Sequence, residues 1–234
     1  MKNKIEKYLL QLNHPELNQR FILKKNIKLI DSNEKQINIS IELNFPFKSQ
    51  ISLYEEIIKQ GLKKITNLDI NIKWSTKILT RQVQQGVNAI KDIKNVIAIA
   101  SGKGGVGKSS IAANLALALS YEGANVGILD ADIYGPSQPK MMGITKKPDS
   151  KDGKSMEPII AHGIQAMSIG FLVDQETPMV WRGPMVTSTL EQLLKETNWN
   201  NLDYLIIDLP PGTGDTQLTF AQKIPVTGSI IVTT

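Results

Sequence analysis

Apolar positions change their spacing several times along the chain, and each change marks an element. Within residues 2–12, Ile5, Leu9, Leu10 and Leu12 fall at helical spacing. Residues 20–30 and 36–43 alternate apolar and polar side chains, the period of a half-buried strand, and Asp31-Ser32-Asn33-Glu34 between them reads as a hairpin turn. A second helix is predicted over 51–65, with Ile51, Tyr54, Ile57, Ile58 and Leu62 on one face, and a third strand over 68–74. The order α-β-β-α-β predicts a small α+β module over residues 1–78, large enough for a marginal domain. Residues 79–94 read as a polar, partly helical linker.

From residue 95 the pattern is different. Val96-Ile97-Ala98-Ile99-Ala100 is a short continuous apolar run, the signature of a strand buried on both faces. Ala and Leu recur at helical spacing over 109–119, and Gly123 is a plausible helix stop. Further strands are predicted over 125–129, 204–207 and 229–233, with a polar loop over 146–154. Strands alternating with helices predict an α/β domain over 95–234, with a mostly parallel, doubly wound sheet.

Composition narrows the setting. No apolar run reaches the 18 or more residues of a membrane span, and the charged start Met-Lys-Asn-Lys-Ile-Glu-Lys lacks a secretory signal's apolar region, so a cytoplasmic location and no membrane partner are expected. The net charge of +5 is uneven: residues 1–94 carry 17 Lys and Arg against 9 Asp and Glu, and residues 95–234 carry 10 against 13. A basic segment can meet an acidic partner or nucleic acid. Here the lysines are scattered among few aromatics, unlike a base-stacking surface, and no nucleic-acid partner is expected. These residues include no cysteine, which excludes a disulfide or a thiolate-held metal cluster within them.

The chemistry concentrates between the first buried strand and its helix. Gly102, Lys103, Gly104, Gly105, Val106, Gly107, Lys108 and Ser109 fit G-x-x-x-x-G-K-[ST]. Glycines let successive backbone N–H groups turn inward around an anion, and the following helix N-terminus adds partial positive charge. These eight residues and Ser110 are the candidate nucleotide contacts, with Lys108 reaching the β- and γ-phosphates and Ser109 holding Mg²⁺. Lys103 is not required by this pattern. It is either a solvated loop lysine or a second cation able to reach a nucleotide on a facing subunit.

Carboxylates follow two other strands. Asp130-Ala131-Asp132 directly succeeds the strand over 125–129, where residues line the ligand crevice of an open parallel sheet. Leu205-Ile206-Ile207-Asp208 is an apolar strand ending in Asp, the Walker B pattern, which assigns Asp208 to Mg²⁺, through water. It continues into Leu209-Pro210-Pro211-Gly212-Thr213-Gly214-Asp215, where the glycines permit loop movement. His162, Met141 and Met142 read as ordinary packing or loop residues, and His14 as a surface loop residue before proline.

Lys-Gly-Gly-Val-Gly-Lys-Ser resembles the deviant Walker A motif of the MinD/ParA/ArsA/nitrogenase-iron-protein class, in which the first lysine crosses a dimer interface. Asp-Ile-Tyr-Gly-Pro-Ser after Ala131, the 209–215 segment and Trp181-Arg182-Gly183-Pro184-Met185 narrow the resemblance to the Mrp/ApbC-type iron–sulfur cluster carrier ATPases. Residues 1–78 resemble that family's small front module, also found in PaaD-like maturation proteins, through His14-Pro15-Glu16-Leu17; the module's usual cysteine is absent.

The resemblance implies an ATPase with ATP and Mg²⁺ as ligands. It implies catalytic roles for Lys103, Lys108 and Asp132, the last positioning the attacking water, and a metal shell of Ser109, Asp130 and Asp208. Arg182 would serve a dimer face or a partner, or be a surface arginine. The family's homodimer holds a bridging [4Fe–4S] cluster on Cys-x-x-Cys pairs for delivery to apo iron–sulfur proteins. The chain reaches Thr234 before such a pair, so it reads as C-terminally truncated, with its last strand uncovered and poor solubility expected. A MinD/ParA-type positioning ATPase and a non-catalytic remnant remain as alternative functions.

Overall fold

A computed structural model of the chain describes residues 1–14, 17–81, 87–172, 183–212 and 222–234. They form two compact units, Met1–Leu79 and Thr80–Thr234.

The first unit has the order α1 (Lys2–Leu9), β1 (Ile27–Ser32), β2 (Gln36–Leu43), α2 (Ile51–Lys63) and β3 (Asp69–Thr76). β2 is central, antiparallel to β1 and parallel to β3. Its burial alternates strictly, so Ile37, Ile39, Ile41 and Leu43 enter a core with Ile5 and Leu9 of α1 and Tyr54, Ile58 and Leu62 of α2. The first helix stops three residues before the expected end, and the first strand begins at Ile27 rather than at residue 20. Asn26 accounts for the later start: its side chain accepts from the Leu23 amide at 2.9 Å and donates to the Glu42 carbonyl at 2.7 Å, closing a 3-10 turn ahead of the strand. The hairpin turn is fixed by Asn33, whose Oδ1 accepts from the Lys35 and Gln36 amides at 2.9 and 2.8 Å.

The second unit holds a six-stranded sheet, in which β4 (Val96–Ser101), β5 (Val126–Asp130), β7 (Ile164–Ser168), β8 (Tyr204–Asp208) and β9 (Gly228–Val232) are parallel. The spatial order is β6-β7-β5-β8-β4-β9. One edge strand, β6 (Ile159–Ala161), is antiparallel to β7. This hairpin departs from the sequence expectation: β6 has only three residues, and Gln165 interrupts the apolar run of β7.

Alternate residues of one strand face opposite layers. Ile99, Ile128 and Ile206 pack under Ala112, Ala113 and Ala116 of α3 (Lys108–Tyr121), whose small side chains let the helix lie close to the sheet. Ala98, Leu129 and Ile207 face Leu190, Leu193 and Leu194 of α5 (Gly183–Glu196). Both faces are therefore covered, and the polar ends of the strands are where a ligand can enter. The chain passes from β4 towards β5 on one side and from β8 across β4 to β9 on the other. The order thus reverses around β4, the place where open α/β sheets open a crevice at their carboxyl ends.

The stretch expected as a linker is partly taken up by the second unit. Ile93 bridges Leu202, the Lys94 amide donates to the Leu202 carbonyl at 2.9 Å, and the Arg81 amide donates to Asn95 Oδ1 at 3.1 Å.

Candidate functional site

The loop between β4 and α3 opens a cleft of about 350 Å³ at the carboxyl end of the sheet, lined by Ser101, the loop glycines, Lys108, Ser109, Ser110 and Asp132 among others. Gly105 and Gly107 take φ of +78° and +87°, a region that costs an L-residue about 1–2 kcal/mol. A Cβ at Gly104, Gly105 or Gly107 would meet no atom within 4 Å. The glycines therefore serve the backbone's direction and an open space beside it, not tight packing. Gly107 caps α3 without any side-chain hydrogen bond, and no acidic residue occupies its first turn. The first residues of this 14-residue helix, Lys108, Ser109 and Ser110, line the cleft, so the positive end of the helix dipole lies beside it.

Lys108 begins α3 but its ammonium is buried beneath the loop. It donates to Asp208 Oδ1, lies 3.7 Å from Asp132 Oδ2 and is 3.4 Å from Ser109 Oγ. Groups from the start of α3, the loop after β5 and the end of β8 thus meet within one ion-pair network. Burial pushes the Asp132 carboxyl up; the Lys108 cation opposes that, and Asp208 reinforces it.

Asp208 is wholly buried, and its second oxygen, Oδ2, accepts from Gln138 Nε2 at 2.9 Å. The same nitrogen donates to the Ser109 carbonyl at 3.0 Å. Gln138 starts the short helix α4 (Gln138–Met141) and is not among the residues singled out by sequence. Its signal was its place directly after Gly135-Pro136-Ser137, where the motif match stopped one residue short.

Asp130 lies behind the cleft rather than on its wall. Its Oδ1 accepts from the Asp132 amide at 3.2 Å; Oδ2 accepts from the Ser137 and Gln138 amides at 2.9 and 3.0 Å and from Ser168 Oγ at 3.2 Å. With every oxygen engaged by the segment that follows, it is placed to fold the 131–138 loop back over the strand end. Burial raises its pKa to about 6; the backbone hydrogen bond from Gln138 lowers it, and Asp208 raises it further.

The remaining sequence candidates divide by exposure. Gly102 and Lys103 are exposed at the outer edge of the loop, Val106 and Ser109 are half-buried, and Ser110 is exposed at the helix start. Arg182, Thr213, Gly214 and Asp215 lie outside the described residues.

Ser101 Oγ, Ser137 Oγ and Asp132 Oδ1, on residues that line this cleft, are buried without hydrogen-bond partners. Buried polar groups ordinarily have partners, so three orphans beside one open cleft fit a polar occupant. They are oxygen donors, the type a Mg²⁺ shell or its waters use. Among the described residues no group of three or more His, Cys, Asp and Glu is placed to hold a metal unaided. A larger groove of about 890 Å³, lined in part by Trp199, Lys195 and Lys223, has neither glycine loop nor clustered carboxylates.

A glycine loop between a buried parallel strand and a helix, with carboxylates at the ends of the neighbouring strands, defines a P-loop nucleotide-binding protein. The family model described as ParA, NUBPL iron-transfer P-loop NTPase, matches residues 92–234, and the chain belongs to this family. The iron-sulfur cluster carrier protein of Haemophilus influenzae is 46% identical over 235 residues, covering 99% of this chain and 63% of that protein. That of Pseudomonas fragi is 57% identical over 176 residues, covering 73% of this chain and 61% of that protein. The iron-sulfur cluster transfer protein NUBPL of Mus musculus is 49% identical over 161 residues, covering 68% of this chain and 50% of its own. The chain thus spans less than two thirds of the length of these relatives. Among solved structures, the nucleotide-binding protein of Archaeoglobus fulgidus in complex with ADP matches with a TM-score of 0.53 and 42% identity, covering 61% of this chain and 55% of that chain.

Proposed function

We propose that the chain binds Mg-ATP in the cleft between β4 and α3 and hydrolyses it, as the nucleotide-driven part of an iron–sulfur cluster carrier that delivers [4Fe–4S] clusters to apo-proteins. The observation that carries the nucleotide reading is the buried Lys108 ammonium held between Asp208 and Asp132 beneath an uncapped helix N-terminus. A triphosphate supplies the anionic oxygens that draw Lys108 off the carboxylates, and the freed carboxylates then face the metal. Ser109 and Asp208 would hold Mg²⁺, which neutralises charge on the phosphates when bound. Asp132, at the cleft wall with one oxygen unpartnered, orients the attacking water. Positioning and charge neutralisation dominate such a step.

Asp130 supports the metal shell from behind through the loop it folds. Lys103, exposed at the loop's edge, reaches a nucleotide in a second copy, so the working unit is a homodimer. The cluster is cargo. Because these residues hold no cysteine, any thiolates that hold it belong to sequence beyond them. The names of the bacterial relatives support the carrier role over a positioning ATPase, and a cytoplasmic setting accords with it. No described helix is long and apolar enough to cross a membrane.

Titration calorimetry with Mg-ATP tests this reading. Binding is expected for the wild type, with loss of at least about a hundredfold in affinity for Lys108→Ala, since a charge-assisted contact to phosphate is removed in a low-dielectric cleft. A wild-type chain that is folded and gives no heat would refute it.

A further inference from the structure

Gln138 joins three parts of the site that come from distant sequence. One nitrogen, Nε2, donates both to the Ser109 carbonyl in the first turn of α3 and to Asp208 Oδ2 at the end of β8. The side chain is almost wholly buried, so these bonds are shielded from competing water. Its backbone amide is held by Asp130 Oδ2, which fixes where the side chain starts. The other amide atom, Oε1, is buried with no hydrogen-bond partner.

We propose that Gln138 is a positioning residue for the metal side of the nucleotide site. In the structure Asp208 has two strong donors, Lys108 on Oδ1 and Gln138 on Oδ2. Once phosphate takes Lys108 away, Gln138 is the donor that remains. It then keeps the Asp208 carboxylate from rotating and presents Oδ1 to the metal's water. The same amide ties that carboxylate to the peptide of Ser109, the other proposed metal ligand, so the two ligands keep a fixed spacing. This rests on the reading of the cleft as a Mg-nucleotide site.

The experiment compares ADP affinity in excess EDTA with that in Mg²⁺, by calorimetry on the full chain, for wild type, Gln138→Met and Gln138→Glu. Methionine keeps the length and removes both donors. Glutamate keeps the length and sets a second carboxylate against Asp208. In Gln138→Met the enhancement of affinity by Mg²⁺ is expected to fall about tenfold, the worth of a hydrogen bond to a charged group, while metal-free ADP affinity changes less than about twofold. Gln138→Glu is expected to lose the enhancement further at neutral pH. Equal Mg²⁺ enhancement in wild type and a folded Gln138→Met would overturn the inference and leave the nucleotide site standing. Equal losses with and without Mg²⁺ would also overturn it, since that is the mark of a merely structural residue. Should Gln138→Met not fold, Gln138→Glu with its melting curve decides by the same ratio. Absence of any nucleotide binding by the wild type would instead sink the site itself.

Discussion

At the scale of single residues, Asp130 carries the sharpest pH signature. Its oxygens accept three amides from the segment it organises, yet burial outweighs those bonds and lifts its pKa to about 6. The folded state therefore holds a proton more tightly than the unfolded chain between about pH 4 and 6. Stability from this group is greatest at the acid end of that window and falls as pH rises through it, levelling off above about pH 7. Asp130→Asn cannot ionise, so the stability of wild type relative to this variant should decline by roughly 3 kcal/mol from pH 4 to pH 7, the equivalent of two pKa units. Denaturant melts at a series of pH values would check it; a constant difference would show that Asp130 is already ionised in the fold at acid pH. The carboxylate retains the loop because asparagine has one acceptor oxygen, where the Ser137 and Gln138 amides, the Asp132 amide and Ser168 Oγ all seek one.

At the scale of elements, the loop of residues 131–138 depends on what lies behind it. Gly170, in the 3-10 turn after β7, leaves room for the Pro136 ring: a Cβ there would sit 2.9 Å from Pro136 Cβ. Neither partner can rotate away, because the proline ring is fused to its own backbone. Gly170→Ala is expected to cost about 1–3 kcal/mol and to push Pro136, and with it Asp132 and Gln138, out of register with the cleft. Nucleotide affinity should drop with stability; an unchanged ADP affinity at full folded population would show that the loop is not braced there. This brace was not legible in the chain, since β6, β7 and the turn after them are short runs whose period is ambiguous. The buried strands β4, β5 and β8 were legible because each is an apolar run beside a motif, and β2 because its apolar and polar residues alternate strictly. The glycine loop was legible from its motif spacing. Gln138 was not, because a lone polar residue in a loop sequence carries no periodicity, and only tertiary placement gives it Asp208 as partner.

At the scale of the whole molecule, each unit has a core drawn from its own residues. Ile5, Phe21, Ile39, Phe47, Tyr54 and Leu62 belong to the first, with the aromatic rings of Phe21 and Tyr54 in edge contact at 4.7 Å. Leu129, Ile207, Leu193 and Ile206 belong to the second, in the two layers on either side of its sheet. Lys108, Gln138, Asp132 and Asp208 all lie in the second unit. A ligand stabilises only the state that binds it, by about 2.7 kcal/mol when its free concentration is a hundred times its Kd. Mg-ADP should accordingly shift the calorimetric unfolding of residues 80–234 by several degrees. Hydrogen exchange read by mass spectrometry on the same sample assigns the change to sequence. Slower exchange is expected across β4, α3, β5 and β8, with residues 1–79 unchanged. Protection spreading equally into α1, β2 and α2 would mean that the two cores unfold as one cooperative body and that the front module senses the nucleotide. Protection confined to the second unit would mean that the front module's core keeps the same stability with and without nucleotide.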